Sequence, residues 1–295
     1  MFKLKSHKVQ TLQSSVRIET YCRGLFKELP SNKSVKKAVN KGGIRVKGCE
    51  ISSAYFVKEN DEIELWDLEE NAPSPYKLKI DVVYEDDYLA VVFKPAGLVT
   101  SGNFYRTLEN AIQGQLKHCE NNPLKWAKPV HRLDGPTSGL VIIAKSIDAR
   151  IKLGRMLEQK KIDKTYCALL SGDLKGNKTI DLPIDGKSAI SQISLKRKNE
   201  SLNNGFVSKV FMKPITGRTH QLRRHAAALG LPIIGDKEYG ENGNTLLHKG
   251  LFLCSFQLKF SHPITGENLN IKTDIPDKFN KLMIREYERY LKFNK

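Results

Sequence analysis

Residues 139–145, with the sequence GLVIIAK, restrict the fold of this chain more than any other segment. Five consecutive apolar residues, three of them β-branched, are typical of a strand buried in the centre of a sheet. One acidic residue, Asp134, precedes this strand in a stretch that is otherwise neutral or basic, and Gly135 and Pro136 follow it directly. Because glycine and proline fix the backbone there, we expect Asp134 to lie on a rigid support at the entrance to a buried strand.

Other strand and helix patterns surround this central strand. Strands are predicted by two apolar runs within residues 81–100, by residues 163–174, and by a hairpin of alternating residues within 250–273. Helices are predicted over residues 105–118, 147–161 (with Ser146 as N-cap), 220–230 and the last twenty residues. The polar residues 199–205 are predicted to form a loop.

A break in composition divides the chain near residue 71. Acidic residues give way there to Ala-Pro-Ser-Pro, which favours an extended linker. We therefore expect a small domain over residues 1–70, a linker over 71–79 and a larger domain over 80–295. In the small domain a helix is predicted, capped by Ser31 or Asn32 and ended by Gly42 and Gly43, and the half-buried strand of Ile44 and Val46 follows it.

The charge of the chain indicates a polyanionic partner. The formal net charge is +17, from 49 lysine and arginine residues against 32 acidic ones, and such an excess is typical of proteins that bind nucleic acid. In the small domain the acidic residues are concentrated at 59–70, after a basic stretch. We predict that this stretch contacts nucleic-acid phosphates through Lys33, Lys36, Lys37, Arg45 and Lys47.

The sequence also predicts the compartment and disfavours several chemistries. The five cysteines are scattered without a C-x-x-C pair, which favours a reducing, cytoplasmic environment. The basic N-terminus has no apolar segment behind it, and no apolar run approaches the roughly 20 residues of a membrane span. Motifs for phosphate loops, dinucleotide sites and zinc sites are missing, so we expect neither a metal nor a cofactor.

A second cluster, TGRTHQLRRH at residues 216–225, accompanies the Asp134 segment. Its arginines flank the start of a predicted helix, and we expect one of them to reach Asp134, orient it and keep it ionised. An ionised, oriented aspartate serves as a nucleophile or a base, whereas a structural ion pair would produce the same pattern. His225 lies on the apolar face of the helix and is expected to be structural. A Ser138–His220–Asp134 hydrolase triad is disfavoured, since no nucleophile-elbow sequence accompanies it.

Taken together, these segments resemble the RluA family of RNA pseudouridine synthases. The blocks HRLDGPTSGLVIIAK, KTYCALLSG, TGRTHQLRRHAAALGLPIIGDKEYG and LFLCSFQLKFSHPITGE occur in the order typical of that family. Residues 16–65 resemble an S4-type RNA-binding module, although VRIETYC replaces the usual arginine-leucine-aspartate start. The resemblance implies an α+β fold: a mixed, mainly antiparallel catalytic sheet with a central cleft, behind a small S4-like α/β module.

Residue roles follow from the resemblance. It implies that Asp134 is the catalytic aspartate, that Arg223 pairs with it, and that Tyr166 stacks on the uracil and helps proton removal at C5. Arg132 would enter the RNA stack as the uridine leaves it, and Arg218 and His220 would complete the substrate site. Departures from the family are Cys254-Ser255 in place of the frequent His-Ala, and Arg224 in place of a more usual valine. They could alter packing or substrate fit.

The expected function is therefore isomerisation of uridine to pseudouridine in structured RNA, with base flipping and no cofactor. Ribosomal RNA is the first expected substrate and transfer RNA the second, and the enzyme is expected to act as a monomer. The main alternative is an RNA-binding or ribosome-assembly factor that keeps this fold without catalysis. A further alternative is a glycosylase that uses Asp134 with a second carboxylate, Asp236, and releases free uracil.

Overall fold

The computed structural model describes residues 2–12, 14–67, 73–240 and 249–294. The chain divides into two compact units, Met1–Ala72 and Pro73–Lys295. In the described ranges no helix is both long enough and apolar enough to cross a membrane.

In the described part of the first unit, four strands form one sheet with two helices. The strands are β1 (Phe2–Lys8), β2 (Ile44–Val46), β3 (Cys49–Glu50) and β4 (Glu62–Asp67), in the spatial order β1-β4-β2-β3; the helices are α1 (Ile18–Tyr21) and α2 (Asn32–Asn40). Ser31 caps α2, accepting a hydrogen bond from the Ser34 amide, and Gly42 (φ +70°) follows the end of this helix, as predicted. Val35 and Val39 of α2 pack on Ile44 of β2 in the core of the unit.

The second unit is built on one large mixed sheet. Its strands are β5 (Asp81–Glu85), β6 (Leu89–Lys94), β7 (Pro123–Pro129), β8 (Ser138–Ser146), β9 (Asp163–Ser171), β10 (Lys178–Asp181), β11 (Ile190–Ser201), β12 (Gly205–Pro214), β13 (Leu253–Ser261) and β14 (Asn268–Lys272). In the described residues their order is β10-β11-β12-β9-β13-β8-β6-β5, with β14 beside β13 and β7 beside β8. All these pairs are antiparallel except β8 with β13. The predicted α+β class and mainly antiparallel sheet are confirmed.

Strand β8 is the predicted central strand, and every residue of it is buried. It pairs with β6 along its length, and at its start Ser138 and Gly139 lie parallel to Cys254 and Ser255 of β13. Gly139 has φ +123°, and a Cβ there would overlap the backbone of Ser255. A residue with a side chain would therefore be both strained and in collision, which explains the glycine at this position.

Four helices accompany the sheet in the described part of this unit: α3 (Leu108–Ala111), α4 (Ile147–Glu158), α5 (Gln221–Ala228) and α6 (Lys278–Phe293). Helix α4 begins as predicted, with the Ser146 hydroxyl accepting from the Ala149 amide at 3.2 Å. Two predictions are wrong. The helix expected over residues 105–118 is reduced to α3, and Gly114 (φ +75°) has a left-handed backbone soon after it. The loop expected at 199–205 is a three-residue turn, because β11 and β12 pair as far as Ser201 and Gly205.

The two faces of the sheet are covered by different groups. Along β9, successive side chains alternate, so Tyr166 and Cys167 lie on opposite faces. Tyr166 belongs to a core cluster with Met212 and Leu222, on the face of α5. Cys167 belongs to a separate cluster that includes Phe279 of α6. The site described below lies on the Tyr166 face.

Candidate active site

The backbone around Asp134 is held by a buried lysine. Lys94, at the end of β6, has no exposed surface, and its Nζ donates to the carbonyl oxygens of Pro95 (3.0 Å), Leu98 (2.6 Å) and Gly135 (3.2 Å). Burial lowers the pKa of Lys94 to about 8, and the nearby charge of Asp134 opposes this shift. The hydrogen bond to Gly135 ties the residue after Asp134 to the neighbouring strand.

A buried threonine holds the residue before Asp134. The Thr100 hydroxyl donates to the Leu133 carbonyl at 2.9 Å and accepts from the Leu133 amide at 3.1 Å. The Thr137 amide then donates to the Asp134 carbonyl at 3.0 Å and closes a turn just before β8. Asp134 is thus fixed on both sides, as expected from the Gly-Pro sequence, although the lysine and threonine that fix it were not predicted.

A cleft of about 350 Å³ opens beside this turn. The structure brings all six residues that the sequence predicted for the substrate and the chemistry into its lining: Arg132, Asp134, Tyr166, Arg218, His220 and Arg223. Lys164, from β9, also lines the cleft. Ser138 is buried in β8 and is not among the described residues that line the cleft, so the triad arrangement is not formed.

The arginine predicted to pair with Asp134 has a different principal partner. The Arg223 guanidinium donates two hydrogen bonds to the Asp236 carboxylate, from Nε to Oδ2 at 2.7 Å and from Nη2 to Oδ1 at 2.7 Å. Its remaining nitrogen, Nη1, lies 3.7 Å from Asp134 Oδ2. The expectation that an arginine fork orients Asp134 is therefore corrected. Among the residues that the structure describes, Asp134 has a close cation but no bidentate partner, which leaves its oxygens available to a substrate.

Asp236 is fully engaged in holding Arg223. It is buried, and its Oδ1 also accepts from the amides of Glu238 (3.1 Å) and Tyr239 (3.2 Å). Burial alone would raise the pKa of Asp236, but the hydrogen bonds from Arg223 and the two amides bring that pKa below its ordinary value. A carboxylate with these four donors is not available as the second acid of a glycosylase, so that alternative loses its support.

His220 approaches Asp134 from the other side. Its Nε2 is 3.8 Å from Asp134 Oδ1, and its Nδ1 lies 3.0 Å from the Tyr239 hydroxyl and 3.2 Å from Glu238 Oε1. Glu238 also reaches Arg223 Nη2 at 3.0 Å, and the Tyr239 ring lies 4.9 Å from the Arg223 guanidinium carbon. The segment 236–239 thus holds both residues that flank Asp134, which the sequence alone did not show.

Tyr166 forms an aromatic wall of the cleft. It is 8% exposed, and burial raises its pKa well above 10, with the charge of Asp134 acting in the same direction. At neutral pH Tyr166 is therefore an uncharged phenol, which can stack on a base and donate a hydrogen bond but is a poor proton acceptor. Burial also lowers the pKa of Lys164, two residues earlier.

The remaining predicted residues differ in exposure: Arg132 and Arg218 are at the surface, and His225 is buried. Arg132 and Arg218 are exposed where they line the cleft, and Arg218 Nε donates to the Ser188 carbonyl at 3.0 Å. His225 is buried, with Nδ1 at 2.9 Å from Ser191 Oγ and Nε2 at 3.0 Å from the Leu182 carbonyl, so it is structural as predicted.

The basic stretch of the first unit is only partly available to a partner. Lys33, Lys36 and Lys37 lie exposed on α2. Arg45 instead contacts Glu50 at 2.9 Å and Lys47 contacts Asp61 at 3.5 Å. The separation of acidic from basic residues along the sequence is therefore lost on folding at these two positions.

Comparisons with known proteins indicate the family of this chain. Residues 88–228 match the family described as RNA pseudouridylate synthase. Ribosomal large subunit pseudouridine synthase C of Rickettsia bellii is 33% identical over 299 residues, covering 90% of this chain and 96% of that protein. An uncharacterized RNA pseudouridine synthase of Aquifex aeolicus is 30% identical, covering 85% of this chain and 88% of that protein. Among solved structures, human RNA Pseudouridylate Synthase Domain Containing 1 has a TM-score of 0.56 at 26% identity, covering 66% of this chain and 83% of that one.

Sheet, cleft and sequence together define an enzyme that modifies RNA. The chain belongs to the RNA pseudouridine synthase family.

Proposed function

We propose that the enzyme converts uridine to pseudouridine in the RNA of the large ribosomal subunit, with Asp134 as the catalytic aspartate. The observation that carries the role of Asp134 is its position: one carboxylate, fixed on both sides by Lys94 and Thr100, faces a cleft with a tyrosine wall. Support for the substrate comes from relatives named ribosomal large subunit pseudouridine synthase C in Rickettsia, Salmonella and Escherichia.

The geometry fits the bond changes of this reaction. The N1–C1′ bond breaks, the uracil turns within the cleft, C5 bonds to C1′ and loses its proton, and N1 gains a proton, so the reaction needs no net atom or electron from outside. Asp134, with Arg223 Nη1 at 3.7 Å, is a carboxylate next to a cation, and an oriented carboxylate can act as nucleophile or base. The buried ring of Tyr166 gives the extruded base a surface to stack on, and stacking of this kind contributes about 1–3 kcal/mol per base.

Cations around the cleft suit a nucleotide within an RNA strand. Arg132 and Arg218 are exposed beside it, where guanidinium groups bind phosphates in bidentate geometry. We assign Arg132, two residues before Asp134, the role of entering the space that the uridine leaves. Arg218 and His220 complete the substrate site.

We further propose that residues 1–70 form an S4-like RNA-binding module, joined by a linker over 71–79 to the catalytic domain of residues 80–295. The exposed cations of α2, Lys33, Lys36 and Lys37, are the best placed for phosphates, while Arg45 and Lys47 share their charge with acidic neighbours. We assign the enzyme to the RluA branch of its family.

We also propose that it acts in the cytoplasm as a monomer. Its five cysteines are free thiols, which suits a reducing compartment. All residues that we assign to the reaction come from one chain, which supports activity without a partner copy.

The experiment that tests the function replaces Asp134 with asparagine, which keeps the shape and removes the charge. Pseudouridines are mapped in total RNA from cells that carry the wild-type gene, no gene, or Asp134→Asn. The exposed Asp185→Asn serves as a matched control. We expect sites in large-subunit RNA to disappear without the gene and with Asp134→Asn, and to persist with Asp185→Asn. Sites confined to transfer RNA would contradict the proposed substrate.

The same experiment separates catalysis from binding alone. If the protein is an RNA-binding or assembly factor, deletion of its gene leaves every pseudouridine in place, and the purified protein binds RNA without modifying it.

For Tyr166, which forms the aromatic wall of the cleft, we expect replacement by leucine to abolish turnover and retain most RNA affinity. Tyr166→Phe should be milder because it keeps the stacking ring.

A further inference from the structure

The proposed reaction leaves one proton whose acceptor has to be identified. When C5 has bonded to C1′, C5 is tetrahedral and still carries its hydrogen. The C5–H bond must break so that its electrons can restore the C5=C6 double bond. Since C5 has taken the place of N1, it lies one bond away from C1′, the carbon that the proposed role places beside Asp134. The acceptor must therefore be close to Asp134.

Few of the described residues that line the cleft can accept this proton. The guanidinium groups of Arg132, Arg218 and Arg223 remain protonated at any working pH. The phenol of Tyr166 is uncharged, and a neutral phenol oxygen is only weakly basic. His131 Nε2 already accepts from the Ile142 amide at 3.1 Å. Three groups remain: Asp134 itself, Lys164 and His220.

Of these three groups, His220 has neighbours that can carry a proton away from the cleft. Its Nδ1 lies 3.2 Å from Glu238 Oε1 and 3.0 Å from the Tyr239 hydroxyl. A carboxylate at this distance favours the tautomer with hydrogen on Nδ1, which leaves the lone pair of Nε2 facing the cleft, 3.8 Å from Asp134 Oδ1. The side chain of Glu238 is 52% exposed, so it connects the histidine to solvent.

The electrostatics of Glu238 agree with a role as proton relay. Burial would raise its pKa, but the hydrogen bond from Tyr239 and the charge of Arg223 bring that pKa below its ordinary value. Glu238 is therefore ionised at neutral pH and ready to accept a proton that it then releases to water.

The backbone of His220 is a second, independent observation. As the N-cap of α5 it adopts φ +53° and ψ +24°, a left-handed conformation that few residues other than glycine adopt, although asparagine, aspartate and histidine do so more often than the rest. Its side chain makes no capping hydrogen bond. A strained residue of this kind persists where its surroundings hold it, with a cost of order 1–3 kcal/mol, and such residues cluster at functional sites.

We propose that His220 is a catalytic base of this enzyme and that Glu238 relays the proton from it to solvent. The proposal rests on the proposed function. His220 Nε2 takes the proton from C5, forming an N–H bond while the C5–H electrons restore the C5=C6 double bond and N1 takes a proton from water. Nδ1 releases its hydrogen to Glu238, which passes it to water and leaves the new proton on Nε2. Once the product has left, Nε2 gives that proton to water in the open cleft and Nδ1 takes one back through Glu238, which restores the starting tautomer. Tyr239 orients both side chains through its hydroxyl and is a positioning residue.

The test is turnover of two RNA substrates that differ only at C5 of the target uridine, one with hydrogen and one with deuterium. His220→Asn is the informative variant, because asparagine tolerates the left-handed backbone and lacks the imidazole. General acid–base catalysis contributes roughly 10²- to 10⁴-fold, so we expect a rate loss of that order. We also expect the ratio of the two rates to rise above the wild-type ratio, because proton removal then limits turnover.

Three further variants control this result. Glu238→Gln should raise the isotope ratio in the same direction with a smaller loss of rate, because water can replace the relay. Lys164→Met should leave the ratio at the wild-type value, whatever its effect on affinity. His118→Asn, at an exposed histidine that is not among the described residues lining the cleft, should leave both rate and ratio unchanged.

The outcomes separate the two proposals. If the wild-type enzyme forms no pseudouridine, the proposed function fails. If it does so and His220→Asn is slow with an unchanged isotope ratio, His220 only positions the substrate and the relay is overturned. An unchanged rate in His220→Asn, or a raised ratio in Lys164→Met, overturns it as well.

Discussion

The pair of Arg223 with Asp236 allows a sharp test, because the neighbouring arginine forms a comparable pair at the surface. Arg223 bonds Asp236 twice at 2.7 Å, in a site where both side chains are almost fully buried. Arg224 bonds Asp185 at 3.0 Å, where the carboxylate side chain is 70% exposed. Asp236→Asn and Asp185→Asn therefore make the same chemical change in two environments.

The expected effects on stability differ in size. Removing one partner of a buried ion pair costs about 3–5 kcal/mol, because the other charge is left uncompensated. Asparagine keeps an acceptor oxygen and Glu238 still contacts Arg223, so we expect a loss of about 3 kcal/mol for Asp236→Asn. An exposed pair contributes about 0–1 kcal/mol, and Asp185→Asn should stay in that range. Urea unfolding followed by circular dichroism measures both values.

The expected effect on catalysis comes from the position of the freed arginine. Without the Asp236 carboxylate, the Arg223 fork can turn toward Asp134, which lies 3.7 Å from Nη1. A tighter pair would tie up the oxygens that the substrate needs, so kcat should fall at least about tenfold, while KM changes little. Asp185→Asn should retain wild-type kinetics.

Acid sensitivity supplies a further check. The pKa of Asp236 is lowered in the folded state, so this group stabilises the fold above its unfolded pKa of about 3.9, and the contribution is lost as pH falls through the folded pKa. The stability difference between wild type and Asp236→Asn should therefore shrink in acid. Equal stability and equal kcat for the two asparagine variants at neutral pH would refute the role of Asp236.

Three further predictions concern the fold and the RNA contacts. Gly139→Ala should lower the unfolding free energy by at least about 2 kcal/mol, since alanine there meets both strain and collision; an unchanged urea midpoint would contradict this. The folded pKa of Lys94 is about 8 and its unfolded pKa about 10.4, so the unfolded chain binds more protons between these values. Wild-type stability relative to Lys94→Met should thus rise by up to about 3 kcal/mol from pH 7 to pH 10, and a flat difference in urea unfolding would argue against the assignment. Replacing Lys33, Lys36 and Lys37 with glutamine should weaken binding to many RNAs alike and reduce the salt dependence of affinity, whereas a change of preferred sequence would point to base contacts.

The elements that the sequence predicted well are those that local pattern determines. The run from Leu140 to Ala144 is apolar without interruption, and β8 is buried at every residue. The N-cap at Ser146 depends on one hydroxyl next to the helix, so it too could be predicted. Within the helix predicted over residues 105–118, Leu108, Ile112 and Leu116 have helical spacing. All three pack against the core, but only Leu108–Ala111 form a helix, so apolar spacing alone did not distinguish a long helix from a short helix followed by turns.

Long-range pairing was not accessible from the sequence. Arg223 could reach Asp134, Asp236 or Glu238, and the choice depends on how the segment after α5 folds back over the helix. The role of Lys94 could not be predicted from the sequence, because this lysine binds carbonyl oxygens from two separate parts of the chain. The family resemblance indicated which residues gather at the cleft, whereas the contacts that hold them there required the structure.

The rigid attachment of Asp134 has a consequence for the choice of substrate. The aspartate precedes strand β8, which pairs with both β6 and β13, and Gly139 leaves no space between β8 and Ser255. The Asp134 carboxylate therefore cannot shift toward a uridine that lies outside the cleft. The RNA has to deform instead. A difference of about 1.4 kcal/mol in the cost of unstacking a uridine changes the rate about tenfold. The choice among uridines should therefore depend on how little free energy each one costs to unstack, so that bulged or mismatched uridines are preferred over those in a continuous helix.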